Sequence, residues 1–303
     1  MNFLLVLKQV ITLFLMMSVG FALKKLKIMT NEVKSKLSDI LIWVVTPCAI
    51  VSAFSVEYSA ERVGNILTVF VTAVIGYTVA LLLTLLFFRK QPAEKKGVYR
   101  FCMVFGNAGF MGFPVLQSIF GSDGIFYGSI FVAVFHIAVW TVGVSMLSKS
   151  RSKKDVLRHI FVNPGVIAVV VGVILFIFKI TIPSFLAQAI DSFGSMNTPL
   201  SMLIIGSIFA DTNLKEIFLS WRLYIVSFFK LIVSPLLVLA IVRLCGMSGI
   251  ATNIAIIECG MPTAALSAIL AVKFSSDSKT AMGAVAIATL LSIVTIPFIV
   301  WLL

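Results

Sequence analysis

Ten apolar runs of about 20 residues, joined by short charged connections, leave this 303-residue chain little choice of fold. Hydrocarbon offers no hydrogen bonds, so a segment inside it must satisfy its own backbone N–H and C=O groups. The runs do not form amphipathic stripes, which makes each a candidate transmembrane helix. The expected spans are 3–23, 37–56, 64–88, 99–120, 124–147, 163–181, 184–210, 221–243, 248–271 and 280–302. Hydrophobic residues make up 60% of the chain and charged ones 12%, whereas a soluble domain is about half apolar and a quarter charged. The reading is an all-α polytopic membrane protein, a single membrane domain over residues 1–303 with no separate soluble domain. The first run lacks an A-x-A cleavage site, and its lysines follow it, so it reads as a retained span rather than a signal peptide.

Charge then orients the chain. The net charge of +12 resides in loops: Lys24, Lys25, Lys27, Lys34 and Lys36 after span 1, Arg89, Lys90, Lys95, Lys96 and Arg100 after span 3, and Lys149, Arg151, Lys153, Lys154 and Arg158 after span 5. The opposite side carries Glu57, Glu61 and Asp123 against Arg62, Lys179 and Arg243. Basic loops stay cytoplasmic, which places both termini outside a cell membrane. The same distribution accounts for the positive charge without nucleic acid. Cys48, Cys102, Cys245 and Cys259 fall within apolar segments and show no C-x-x-C spacing, so they read as packing residues. Neither metal nor other cofactor is expected, because His136 and His159 are too scattered to form a cluster.

The chain divides into two similar halves, repeat 1 over about 1–147 and repeat 2 over about 163–303, around a basic cytoplasmic loop at 148–162. Span 2 contains Thr46-Pro47 and span 7 contains Thr198-Pro199, an offset of 152 residues. Span 4 contains Pro114 and span 9 contains Pro262, an offset of 148 residues. Five spans per half is odd, so the second half enters from the other side, giving a 5+5 inverted repeat.

The sharpest motif is GNAGFMGFP, residues 106–114, which places weak helix formers inside span 4. Gly109, Gly112 and Pro114 all disfavour a continuous helix. Pro114 lies 14 residues from Arg100, or roughly 21 Å along a helix, which puts the motif near the bilayer midplane. In span 9, Gly260 and Pro262 reach similar depth from the opposite side. Two broken helices crossing there supply half-helix N-termini that attract anions and carbonyl ends that attract cations. Asn107 beside the break can donate to a carboxylate. Thr46, Asn197, Thr198 and Ser201 flank the Thr-Pro pairs and are candidates for the same cavity. Their alternative role is back-bonding to their own helices.

Glu258 lies four residues before Pro262, where a charge costs about 2.5–3.5 kcal/mol. It reads either as a proton- or ion-coupling carboxylate or as a protonated group bonded to a neighbouring carbonyl. His136 in span 5 is a candidate proton relay or a packed histidine. Lys8 and Lys230 are expected near span ends or polar faces, with their ammonium groups reaching water.

GNAGFMGFP, together with GMPTAALSAILA in span 9, resembles the auxin efflux carrier family over essentially the whole chain. That family includes plant auxin carriers and prokaryotic permeases for malate and malonate. The resemblance implies a fold similar to sodium/proton antiporters and bile-acid transporters, with a scaffold, a transport domain and spans 4 and 9 as crossover helices. It places Asn107, Pro114 and Pro262 at the crossover around an organic anion. The short loop between spans 5 and 6 favours a compact prokaryotic-type member. Transporters of this type often pair through the scaffold, which leaves a homodimer open.

The expectation is therefore a secondary active or facilitative carrier of a mono- or dicarboxylate working by alternating access, with proton coupling, sodium coupling or none. The rivals are an ion-coupled antiporter or channel for an inorganic ion and a non-transporting sensor. No GxxxxGK[ST] or HExxH motif occurs. Asp191 and Asp211 are not paired across helices, and Ser129 and His136 have no oxyanion motif beside them, so an enzyme is not expected.

Overall fold

A computed structural model describes residues 3–88, 91–148, 161–212 and 214–303, and every expected span falls on helix there. Of the basic loop residues, Arg89, Lys90, Lys149, Arg151, Lys153, Lys154 and Arg158 lie outside the described residues, as does His159. In chain order the helices are α1 (Phe3–Lys25), α2 (Asn31–Ala53), α3 (Ala60–Leu86), α4 (Ala93–Val104), α5 (Ala108–Phe120), α6 (Ser122–Leu147) and α7 (Pro164–Ile177). They continue with α8 (Ser184–Ser195), α9 (Asn197–Ala210), α10 (Leu214–Phe218), α11 (Trp221–Leu244), α12 (Ile250–Cys259), α13 (Leu266–Lys273) and α14 (Ser278–Leu302). Seven segments among the described residues are long and apolar enough to cross a membrane alone, counting α8 and α9 as one. The other three expected spans are the 14-residue α7 and the two interrupted pairs α4–α5 and α12–α13. This is a multi-pass, all-helical membrane protein.

Three prolines explain local departures from α geometry. A wide π turn spans Leu41–Val45 just before Pro47, another Ala108–Gly112 just before Pro114, and a third Phe229–Val233 just before Pro235. Proline lacks an N–H and its ring collides with the carbonyl four residues back. A π turn shifts that carbonyl out of the way without ending the helix. Thr46-Pro47 therefore does not break its span, because α2 absorbs Pro47 and continues to Ala53. In span 7 the interruption falls at Met196, just ahead of Thr198-Pro199.

Close helix contact depends on glycine. A Cβ built on Gly206 of α9 would stand 1.9 Å from the Met17 carbonyl oxygen of α1, and one on Gly20 of α1 would stand 2.2 Å from the Leu203 carbonyl oxygen. The two backbones thus touch at two points, which is how membrane helices gain dispersion energy where lipid supplies no hydrophobic drive. Phenylalanine fills much of the interior. Phe54, Phe101, Phe105, Phe113, Phe126 and Phe131 are fully buried. The cysteines are free thiols. Cys102 and Cys259 are buried, whereas Cys245 is exposed at the end of α11 and does not pack.

Charged residues sort by end. Lys24 and Lys34, after span 1, pair with Asp211, after span 7, at 3.2 and 2.7 Å. Arg62, after span 2, pairs with Asp123, after span 4, at 3.0 Å. Burial alone would push the Asp211 carboxyl up, but hydrogen bonds from Lys34 and Lys24, together with their charges, hold it below the usual carboxylate range.

Candidate functional site

The α4 helix stops at Val104 and α12 stops at Cys259, and the chain beyond each runs past the other. The Asn107 N–H donates to the Pro262 carbonyl at 2.6 Å, and the Ala264 N–H donates to the Phe105 carbonyl at 2.9 Å. These bonds frame an isolated antiparallel bridge between Gly106 and Thr263. Each interruption thereby satisfies the other's backbone, as a low-dielectric interior demands. The Thr263 hydroxyl donates to the Cys102 carbonyl at 3.0 Å. The Asn107 carbonyl accepts from the Met111 and Gly112 amides and restarts the helix. The motif is mostly helical, and only Phe105–Asn107 leave the helix, upstream of Pro114.

Lys230 from α11 completes the crossing. Its Nζ donates to the Val104 carbonyl at 3.2 Å and to the Cys259 carbonyl at 3.0 Å, and the residue is only 3% exposed. The expectation that Lys230 reaches water is therefore wrong. It lies eight residues from Arg222 and 13 from Arg243, roughly 12 and 20 Å along the helix, beyond the reach of a lysine side chain. That position in span 8 was the available signal. Lys8 is exposed on α1.

A cavity of about 120 Å³ opens beside the crossing. Asn107, Ala108 and Gly109, where α5 begins, lie on it, as do Ala264 and Leu266, where α13 begins. First-turn amides of a helix have no intrahelical partner, so both half-helices present positive ends to this space. Thr46, His136 and Asn163 supply further polar groups, and Ile42, Val132 and Phe135 form apolar wall. No Asp, Glu, Lys or Arg side chain lines it among the described residues. Asn107 is 4% exposed and its Nδ2 has no hydrogen-bond partner among the described residues. Leaving such a donor unpaired costs about 1–3 kcal/mol.

The remaining sequence candidates divide into two groups. Thr46 lies on the cavity and its hydroxyl donates to Asn197 Oδ1 at 3.0 Å, joining spans 2 and 7 beside their two Thr-Pro pairs. Ser201 donates to the Phe110 carbonyl at 3.1 Å and also to that of Thr198, so Thr198 contributes its backbone. His136 lies on the cavity with Nδ1 3.3 Å from Asn163 Nδ2. Asn163 escaped sequence reasoning; it is the N-cap of α7, and its Oδ1 accepts from the Val166 amide.

Glu258, Gly112, Pro114, Gly260 and Pro262 do not line the cavity. Gly260 caps α12, and Pro114 is buried in the resumed helix of α5. Glu258 sits behind the motif. A Cβ on Gly112 would meet both its carboxylate oxygens at 2.5 Å, and one on Gly128 would meet Oε1 at 3.5 Å. The residue is 1% exposed and neither oxygen has a hydrogen-bond partner among the described residues. The expected alternative, a Glu258 bonded to a neighbouring carbonyl, is thus absent from this arrangement.

Comparison with known proteins supplies the wider context. The family described as "Membrane transport protein" matches residues 5–300. An uncharacterized transporter of Methanocaldococcus jannaschii is 27% identical, with 97% of each chain covered. Another, from Methanothermobacter thermautotrophicus, is 25% identical over 96% of each chain.

Proposed function

The chain belongs to the membrane transport protein family, and from that premise we propose that it is a secondary carrier of a small organic anion. The solute is a mono- or dicarboxylate held at the crossover, and ten spans in a 5+5 inverted repeat give it alternating access from either side. The observation that carries this reading is Asn107 Nδ2, a buried donor without a partner among the described residues, on a cavity where two half-helices begin. A carboxylate there accepts from the amide, gains from both positive helix ends and removes the cost of the orphaned donor. Thr46 adds a hydroxyl, and Asn197 and Thr198 hold the neighbouring wall. Gly109 leaves open space at the cavity, Gly112 leaves room for the Glu258 carboxylate, Gly260 ends α12, and Pro114 and Pro262 fix the interruptions.

The direct contact between spans 2 and 7 and the antiparallel meeting of spans 4 and 9 support the inverted repeat. The segregation of Lys24, Lys34 and Asp211 from Arg62 and Asp123 supports the alternation that puts both termini outside the cell membrane. Glu258, packed against the glycine that follows the solute site, moves whenever α5 and α12 shift. With His136 on the cavity it forms the coupling machinery.

The test is uptake of labelled mono- and dicarboxylates by liposomes holding the purified protein, with and without imposed ion gradients. Saturable flux of at least one is expected. Asn107→Ala should abolish it while leaving a monodisperse, folded protein. The absence of saturable flux for any carboxylate would defeat the proposal, and wild-type flux in Asn107→Ala would remove that residue from the site.

A further inference from the structure

Where α4 and α12 end, two helix C-termini converge in the interior of the protein. Each carries roughly half a negative charge, and the carbonyls of its last turn lack intrahelical partners. Two such ends side by side repel one another unless a cation stands between them, and carriers built from interrupted helices fill such positions with a coupling ion. Here the position is taken. The last residue of α4, Val104, and the last residue of α12, Cys259, each give their carbonyl to Lys230 Nζ. The chain is shaped around this ammonium, since a Cβ on Gly106 would stand 2.9 Å from Lys230 Cε and Nζ and 3.0 Å from the Met261 carbonyl oxygen. Glu258, adjacent in sequence to Cys259, supplies a carboxyl group nearby without forming an ion pair to Lys230 among the described residues.

We propose that Lys230 is the resident cation of the crossover, a positioning residue that bridges the two half-helix ends where other carriers bind a metal ion, and that this chain therefore works without sodium. A mobile ion brings its charge from solution and leaves with the cycle; a tethered ammonium is always present, so no free ion is needed to hold the half-helices together. The inference builds on the carrier reading by removing sodium from the coupling ions, but its first test needs no solute.

Thermal unfolding of the purified protein in detergent is measured in sodium chloride and in choline chloride at equal ionic strength. The wild-type midpoint is expected to be the same in both. Lys230→Ser clears the space between the two carbonyls. Its midpoint should fall in choline and rise with sodium concentration as the metal ion enters the vacated site. In liposomes, wild-type uptake should be equal in the two salts. Lys230→Ser should lose at least about tenfold in choline, since a hydrogen bond to a charged group is worth that factor or more, and regain flux in sodium. A packing role alone does not produce this sodium rescue. A sodium-specific rise in wild-type stability, or sodium-dependent wild-type uptake, overturns the proposal even if the variant fails to fold. A folded Lys230→Ser indifferent to sodium overturns it as well. If no carboxylate is transported, the stability measurements still decide the role of Lys230, so the two failures remain distinguishable.

Discussion

Two glycines of one motif, Gly109 and Gly112, should respond to the same substitution in opposite directions. In Gly112→Ala the new methyl carbon would lie 2.5 Å from both Glu258 carboxylate oxygens and 2.8 Å from Cδ, whereas ordinary contact begins near 3.4 Å. The carboxylate must retreat by about 0.9 Å, and Gly128 already faces it from α6. Overpacking of this kind costs about 1–3 kcal/mol. Driving Glu258 off its rotamer adds about 0.5–1.5 kcal/mol. Against this, replacing glycine inside a helix gains up to about 1 kcal/mol. The net is a loss of about 0.5–3.5 kcal/mol, or roughly 1–6 °C in melting midpoint for a chain of this size.

Gly109 is three residues earlier and has nothing among the described residues within 4 Å of its Cβ position. Gly109→Ala should keep or raise the midpoint, and its methyl group should enter the cavity beside the crossing, weakening apparent affinity for the proposed solute without unfolding the protein. The assay is thermal unfolding in detergent, followed by liposome uptake. A Glu258→Ala background provides the control, because the Gly112→Ala penalty should vanish there if the carboxylate causes it. Equal midpoints for Gly109→Ala and Gly112→Ala, or a penalty that persists without the Glu258 side chain, would refute the reasoning.

Gly206→Ala drives a methyl into the Met17 backbone, which cannot rotate away, and should cost about 3 kcal/mol or more, whereas Gly64→Ala has open space and should be neutral or stabilising; paired melting curves check this. Glu258→Gln should flatten the pH profile of uptake while solute binding, followed by isothermal calorimetry, persists; an unchanged profile assigns Glu258 to packing. The Asp211 carboxyl is held below its unfolded range of about 3.9, so its stabilisation is complete above that pH and is lost as pH falls through the folded value. Asp211→Asn should therefore cost up to about 1 kcal/mol near neutrality, because the pairs are partly exposed, and the gap from wild type should close as melting curves are taken from pH 5 towards 3.

The positions of the apolar helices were legible because transfer into hydrocarbon is a sum over residues in a continuous segment, and sums over short windows can be read from sequence. The GNAGFMGFP interruption, its partner at Met261-Pro262 and the isolated acid Glu258 were legible for a related reason: each violates that sum, and a violation requires compensation. The form of the compensation was not legible. Thr46-Pro47 and Pro114 look alike in sequence, yet the first is absorbed by a π turn in an unbroken helix and the second follows a true interruption. What differs is whether a neighbouring segment, here Pro262–Ala264, accepts the freed backbone bonds.

Lys230 shows the same limit. Its depth in span 8 was available from counting, but its partners, Val104 and Cys259, are 126 and 29 residues away in the chain. The division between Gly109 and Gly112 likewise follows from which helix happens to pass each one. Sequence by itself determined that the chain is a helical membrane protein and where its helices are weak, because burial in lipid and helix propensity are local quantities. Only the tertiary structure decided which weak points meet, which orphaned groups find partners and which face an open cavity, because those depend on distances between segments far apart in the chain.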